Sequence, residues 1–554
     1  MSRRRILESE SHSPFRARIV AAAMGIAFVG VAVQGAIVSL TGPKEVYASS
    51  TVQNDKAQAI RADILDRNGE RLATSIPVYS LYADPSAVWD PADHAAKLAE
   101  ILPGVDQGVL QDRLSDPERK FVWIKRELTP LQRQDVYDLG LEGIGFLEEN
   151  RRFYPQKTVA AHLIGFTDID GKGLSGMEYA LDERLTTSME PVRLTIDLGV
   201  QYSLEAELGS MASQSGAKGG AGVVMDARTG EVLAMASWPF FDPNRRQDFT
   251  SNELKDRATS SVFELGSVFK PLTIAAGLDH GLLSPTETFN VSQPVTVNGQ
   301  TIHDDHPLDG AHAASVTNII AHSSNIGTVQ IGLRLGEERQ QRFLDSLGLM
   351  ERAPIELASS ANPLLPPSWS DLTTATVSFG HGINVTPIAF TAAFASFANE
   401  GTYIPPTVLL DHGPLAEERE PRRVMSTPTA AVVVEMMRVA VESGTGRKAD
   451  VPGYRVAGKT GTAEKAINGR YDPNKNLNSF AAVFPADDPK YAVLIVLDEP
   501  TDANGRPQTA AFNAAPAVGR VIDRIATILD VMPNFEDLQT AGPPVRTVAD
   551  RRSL

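Results

Sequence analysis

A chain of 554 residues, 42% of them hydrophobic and 22% charged, is long enough for roughly two or three folded units, and most of it should fold. Its formal net charge of -16 argues against a nucleic-acid partner, because phosphate binding needs clustered cations. The absence of cysteine excludes disulfides, thiolate metal sites and cysteine nucleophiles.

In chain order, the first expected element is a membrane span. From Ile19 to Leu40 the sequence is apolar or small, with Gln34 and Ser39 the only clearly polar residues. At 1.5 Å per residue, about 22 helical residues cover roughly 33 Å, enough for a bilayer core. Arg3, Arg4, Arg5, Arg16 and Arg18 precede it, against Glu8 and Glu10. This bias keeps residues 1–18 in the cytoplasm and sends the rest across. A cleaved signal peptide, cut after Val46-Tyr47-Ala48, is the competing reading. It fits less well, because the apolar stretch is longer than a signal core and the cleavage site lies well past its end.

A polar linker over 41–60 leads to Asp66-Arg-Asn-Gly69, a turn between two short strands, since Asn-Gly tolerates positive φ. Short helices are expected over 95–102 and 130–139. No chemical motif occurs before about Leu194, so 41–194 reads as a binding or spacer module. The second half, 195–532, is more regular. Val200, Leu204, Leu208 and Met211 share one helical face, as do Val518, Val521, Ile522, Ile525 and Leu529. Residues 222–226 and 231–237 form a hairpin pattern, and 479–484 and 491–498 are two more β-rich runs. Terminal helices around an antiparallel sheet, with a helical insertion between, make an α+β domain. Residues 533–554 are polar with paired prolines and are expected to be disordered.

Three short motifs follow one another: Ser267-Val-Phe-Lys270, Ser323-Ser-Asn325 and Lys459-Thr-Gly-Thr462. Ser267 and Lys270 are three apart and share a helical face. A desolvated lysine amine at that distance can take the serine proton. Pro271 places the helix start near Ser267, because proline is tolerated only in the first turn. Lys459-Thr-Gly-Thr462 sits in a β-like stretch. There Gly461 would let a substrate backbone approach, and an edge strand would pair with a peptide. Lys459 and Thr460 are candidates to hold a carboxylate, and the N–H groups of Thr462 and Ser267 are candidates for an oxyanion hole. Each motif alone is weak: Ser215-Gly-Ala-Lys218 and Ser360-Ala-Asn362 match two of them but lie in loop-like sequence. The ordered set is the signal.

These residues resemble those of the class B penicillin-binding proteins, over nearly the whole chain to about residue 530. Residues 61–73, Arg151-Arg-Phe-Tyr-Pro155 and Gly173-Leu-Ser-Gly-Met-Glu178 are similar to motifs of the family's N-terminal pedestal, with Ala62 where glycine is usual. Leu265-Gly-Ser-Val-Phe-Lys-Pro271 has leucine where proline is common. Ser378-Phe-Gly-His-Gly-Ile-Asn-Val-Thr-Pro387 and Lys459-Thr-Gly-Thr-Ala463 look most like the septal, FtsI-type branch. The resemblance implies a single-pass inner-membrane protein with its catalytic domain in the periplasm. Its fold would be a membrane helix, a mixed α/β pedestal and a penicillin-binding transpeptidase domain. It implies Ser267 as nucleophile, Lys270 as acylation base, Ser323 as proton relay and Asn325 as partner of the substrate amide. Lys459 and Thr460, beside Gly461, would engage the carboxylate, and Thr462 would stabilise the oxyanion. The substrate would be a peptidoglycan stem peptide ending in D-Ala-D-Ala, imitated by β-lactams, with no cofactor. Glycan strands would come from a SEDS-type, FtsW-like polymerase in the membrane. Ala23, Gly30 and Gly35 would let the anchor pack on such a partner.

His303-Asp-Asp-His306, near His312 and His322, suggests a metal, but two histidines three apart in a turn-rich stretch read as a solvated loop, so no metal is expected. Glu264 reads as an acid favoured at a helix start. His381, between two glycines, fits a role in a backbone turn or substrate groove and a purely structural role equally well. Arginine-rich spots of the pedestal read more often as solvated or paired than as partner sites; Arg61 and Arg67 are expected at the surface, where substituting them should impair division without abolishing acylation. The alternatives to a septal enzyme are a wall-elongation transpeptidase and a non-catalytic β-lactam receptor or scaffold. A D,D-carboxypeptidase would lack the pedestal, and a bifunctional enzyme would need a glycosyltransferase domain.

Overall fold

The computed structural model describes residues 60–305, 312–411, 419–467 and 470–535. Among these residues no helix is long and apolar enough to cross a membrane; the span expected over 19–40 lies outside them.

The N-terminal half is built on one long strand. Arg71–Ala83 pairs antiparallel with Ile64–Leu65, Val122–Leu128 and Ile144–Phe153, and Val192–Arg193 adds a parallel edge to Ile64–Leu65. The 66–69 turn forms as expected, with Gly69 at φ 94°. Helices Pro91–Ile101 and Pro130–Asp138 cover one end of the sheet through Leu98, Leu102, Leu128 and Val136. Three stretches far apart in sequence meet in a buried ion network. Glu178 accepts from Arg61 Nε at 2.5 Å and from Arg152 Nε at 2.6 Å, and Arg61 also reaches Asp182 at 2.6 Å. Arg61 is therefore a buried structural residue, only 4% exposed, and not a surface arginine. Its guanidinium supplies the charge that makes a buried carboxylate tolerable. Arg67 is half-buried and pairs with Glu231 of the second half at 3.1 Å.

The second half is a five-stranded antiparallel sheet ordered 457–467, 470–484, 491–498, 219–226, 232–238. Its strands read as nearly unbroken apolar runs because both faces are covered. Val493, Ile495 and Leu497 face helices Leu198–Gln214 and Ala514–Ile528, while Ala492, Leu494 and Val496 face the helical insertion. Successive side chains of a strand point to opposite faces, so each run feeds two cores. The helices Leu198–Gln214 and Ala514–Ile528 bury the faces expected of them. At the far end, Asn534 donates its N–H to Gly453 O at 2.7 Å, so the described start of the C-terminal tail is attached to the domain.

Candidate active site

Ser267 lies in a 3₁₀ turn, Gly266–Phe269, that runs directly into helix Lys270–Asp279, with Pro271 in its first turn. Two glycines let this turn be gripped from both sides. A Cβ on Gly461 of the edge strand would lie 2.3 Å from Leu265 O and 2.3 Å from Ser479 Oγ. A Cβ on Gly380, at φ 83°, would lie 2.2 Å from Gly266 O. Ser479 Oγ donates to Leu265 O at 2.9 Å, and Gly266 N–H donates to Gly380 O at 3.3 Å. Gly461 thus makes room for the Ser267 turn: the direction its side chain would take, off the face of the sheet, is filled by Leu265 and Ser479.

Ser323 sits between helices Val316–Ala321 and Asn325–Leu335, at φ 65°, a conformation that costs a serine energy and needs outside support. Lys270 gives that support. Its amine donates to Ser323 O at 2.5 Å, to Ser323 Oγ at 3.1 Å and to Asn325 Oδ1 at 2.7 Å. It is thereby directed to the second motif rather than to Ser267. Burial takes this amine out of water and lowers its pKa to about 7, while Asp304 and Asp305 partly offset the shift. Lys459 is fully buried as well. Its amine donates to Thr460 O at 3.0 Å and Oγ1 at 3.3 Å. Burial, with repulsion from Lys270, holds its pKa well below the usual lysine range, against the pull of Asp305. Thr462 Oγ1 accepts from Ala510 N–H at 3.1 Å, so its hydroxyl is engaged away from Ser267. The Thr462 carbonyl lies 3.2 Å from where a Gly266 Cβ would stand, which brings the backbones of residues 266 and 462 side by side. The structure therefore brings Ser267, Lys270, Ser323 and Asn325 together, with Lys459, Thr460, Gly461 and Thr462 alongside them. The decoys stay apart: Ser215 is buried after a helix with its hydroxyl on Met211 O, and Ser360 lies in a loop. A cavity of about 580 Å³ lined by Tyr179, Arg352 and Glu356 holds none of the motifs, so convergence and not cavity size locates the site.

Several neighbours of the site escape sequence reasoning. Asp304 is no free loop residue: it accepts from Ser324 Oγ at 2.8 Å and from Ile326 N–H at 2.9 Å, capping the helix that carries Asn325. His303 O accepts from Asn325 Nδ2 at 3.0 Å. His306 lies outside the described residues, and among the described ones no group of acids and histidines is arranged to hold a metal. Glu264 does not serve the helix start. It accepts from Tyr471 O–H at 3.1 Å and is tied to Gly382 and Asn384, and burial raises its pKa. His381 stacks on Tyr471 with ring centres 5.6 Å apart, and burial lowers its pKa to about 4, so it is neutral at pH 7. Tyr471 stands on the arm in which 464–467 pair with 470–476, whose polar Asp472-Pro-Asn-Lys-Asn476 run carries no strand pattern.

A serine and a lysine on one turn, a serine and an asparagine across from them, and a buried lysine on an edge strand define a serine acyltransferase. Residues 220–517 match the family model for the penicillin-binding protein transpeptidase domain, and residues 56–197 match that for the penicillin-binding protein dimerisation domain. The chain belongs to the penicillin-binding protein family. It is 40% identical to a Caulobacter vibrioides protein named probable peptidoglycan D,D-transpeptidase FtsI, over 97% of this chain and 92% of that one. It is 31% identical to the peptidoglycan D,D-transpeptidase FtsI of Escherichia coli K12, over 86% and 84% of the two chains. Crystal structures of penicillin-binding protein 3 from Mycobacterium tuberculosis superpose on it. The aztreonam complex has a TM-score of 0.67 at 29% identity, covering 86% of this chain and 97% of that one. The ampicillin complex has a TM-score of 0.68, covering 88% and 98%.

Proposed function

We propose that this chain is a septal peptidoglycan D,D-transpeptidase that works through an acyl-enzyme on Ser267 and is blocked covalently by β-lactams. The observation that carries the reading is the Lys270 amine, fully buried, bonded to Ser323 and Asn325, and one helical turn from Ser267. With a pKa of about 7 it exists in part as the free amine at neutral pH and can accept the Ser267 proton. Ser267 Oγ attacks the carbonyl of the penultimate D-Ala of a stem peptide. The tetrahedral oxyanion is met by the N–H groups of Ser267 and Thr462. Ser323 hands a proton to the departing D-Ala amine and takes from the Lys270 amine, 3.1 Å away, the proton that left Ser267, while Asn325 holds the substrate amide and Lys459 and Thr460 hold the terminal carboxylate. An amine of a neighbouring stem then attacks the ester, and the proton it loses returns through Lys270 to Ser267, which is freed. In a β-lactam the leaving amine stays tethered to the acyl group, so the ester persists.

The rest of the chain serves this chemistry. Residues 19–40 anchor it as a single span with 1–18 in the cytoplasm, 41–194 form the pedestal, 195–532 the catalytic domain and 533–554 a tail. The apolar length of 19–40 and the arginines before it support the anchor. A SEDS-type polymerase supplies the glycan strands. The test is intact-mass analysis after exposure to benzylpenicillin. The wild type gains one penicillin mass, mapped to Ser267, and Ser267→Ala gains none while melting at the same temperature. An adduct that persists in Ser267→Ala overturns the reading.

A further inference from the structure

The segment Gly444-Thr445-Gly446, which follows helix Thr427–Glu442, touches both walls of the site. Thr445 N–H donates to Ala321 O at 3.1 Å, two residues before Ser323. A Cβ on Gly444 would lie 2.1 Å from the same carbonyl, so the segment presses directly on the end of the helix that leads into Ser323. On its other side Thr445 Oγ1 lies 2.7 Å from Thr460 Oγ1. The Thr460 hydroxyl also receives the Lys459 amine at 3.3 Å.

A hydroxyl has one proton to give and two lone pairs to receive with. At Thr460 the Lys459 amine occupies one lone pair. The contact with Thr445 can run either way. If Thr460 donates to Thr445, it has no proton left for a ligand. If Thr445 donates to Thr460, both lone pairs are filled and the Thr460 proton is free. A carboxylate only accepts, so one that bonds Thr460 selects the second arrangement. Thr445 is half-buried and can itself receive from water, whereas Thr460 is only 7% exposed. Chained donation of this kind also polarises each successive bond.

We propose that Thr445 is a positioning residue of the carboxylate subsite: its hydroxyl donates to Thr460 Oγ1 and so turns the Thr460 proton toward the carboxylate of the ligand. This rests on the reading of Thr460 as a carboxylate partner. The experiment uses the full-length chain in detergent and compares acylation by benzylpenicillin with acylation by its methyl ester, which has no carboxylate. In the wild type the acid reacts faster. Thr445→Val, nearly isosteric but without the hydroxyl, reduces that preference about tenfold, the worth of one hydrogen bond to a charged group. The loss falls on the concentration giving half-maximal acylation rather than on the limiting rate. Thr445→Ser restores the preference, and Thr445→Ala, which behaves as Val does, gives the same reading should Val fail to fold. If Thr445→Val keeps the wild-type preference while Thr460→Val loses it, the positioning role is overturned and the reading of Thr460 stands. If Thr460→Val keeps it too, the reading of Thr460 itself falls. A Thr445→Ser variant no better than Val assigns the effect to packing and also overturns the proposal.

Discussion

Lys270 is useful as a base only when it is unprotonated, and burial brings its pKa down to about 7. The acylation rate should therefore rise with pH through about 7, giving an acid limb. Stopped-flow labelling with a fluorescent penicillin between about pH 5.5 and 8.5 measures it. Lys270→Ala should lose about 10²–10⁴-fold in rate and the limb with it, yet still bind the ligand non-covalently. Rates unchanged in the mutant would remove Lys270 as the base. Asp305 raises the Lys270 pKa, so Asp305→Asn should move the limb to lower pH. The two-lysine, two-serine pattern was legible because its members lie in short ordered motifs. Asp304 and Asp305 were not: no spacing rule links them to Lys270, and an Asp-Asp pair between two histidines looks like any solvated loop. The same holds for Glu264, whose partner Tyr471 is far along the chain on a polar arm.

At the level of elements, the two-sided sheet was easy to read because its central strands feed two cores and leave no polar gap. The arm was not, since Arg470–Phe484 begins well before its apolar part and its outer part, 470–476, takes its strand partner from 464–467. Gly461 shows what the element does for the residue. A β-like triplet predicts the edge strand correctly, but only the packing reveals that the strand touches the Ser267 turn. Gly461→Ala would press a methyl group against Leu265 O and Ser479 Oγ, and the strand would have to retreat from the turn. Overpacking of this kind costs about 1–3 kcal/mol. The expected result is a lower melting temperature together with a loss of acylation rate well beyond what the lost stability explains, because the Ser267 and Thr462 backbones separate. A variant that melts lower but acylates at the wild-type rate would show that this contact holds the fold and not the site.

For the whole molecule, the question is what the N-terminal half contributes to a reaction carried out elsewhere. Its family-like stretches serve first to hold it together: Arg61, Arg152 and Glu178 come from three of them and form one buried network. Arg61→Ala would leave Glu178 with one cation fewer in a dry site, and removing one partner of a buried pair costs about 3–5 kcal/mol. It should lower the thermal stability of the chain, so any division defect in that variant reports on folding. Arg67 is the better probe. It is half-exposed and bridges to Glu231, so Arg67→Ala should leave penicillin acylation near wild type while testing whether the two halves communicate. In the proposed function the new glycan strands are delivered by a partner that works where the enzyme works. If that place is the septum, depletion of the protein should leave cells growing in length without constricting, and filaments with evenly spaced nucleoids should accumulate under phase and DNA-stain microscopy. Restoring the wild-type chain should return division, whereas Ser267→Ala should not, because the septum needs the cross-link and not merely the scaffold. Depleted cells that become round while continuing to divide would instead assign the enzyme to wall elongation.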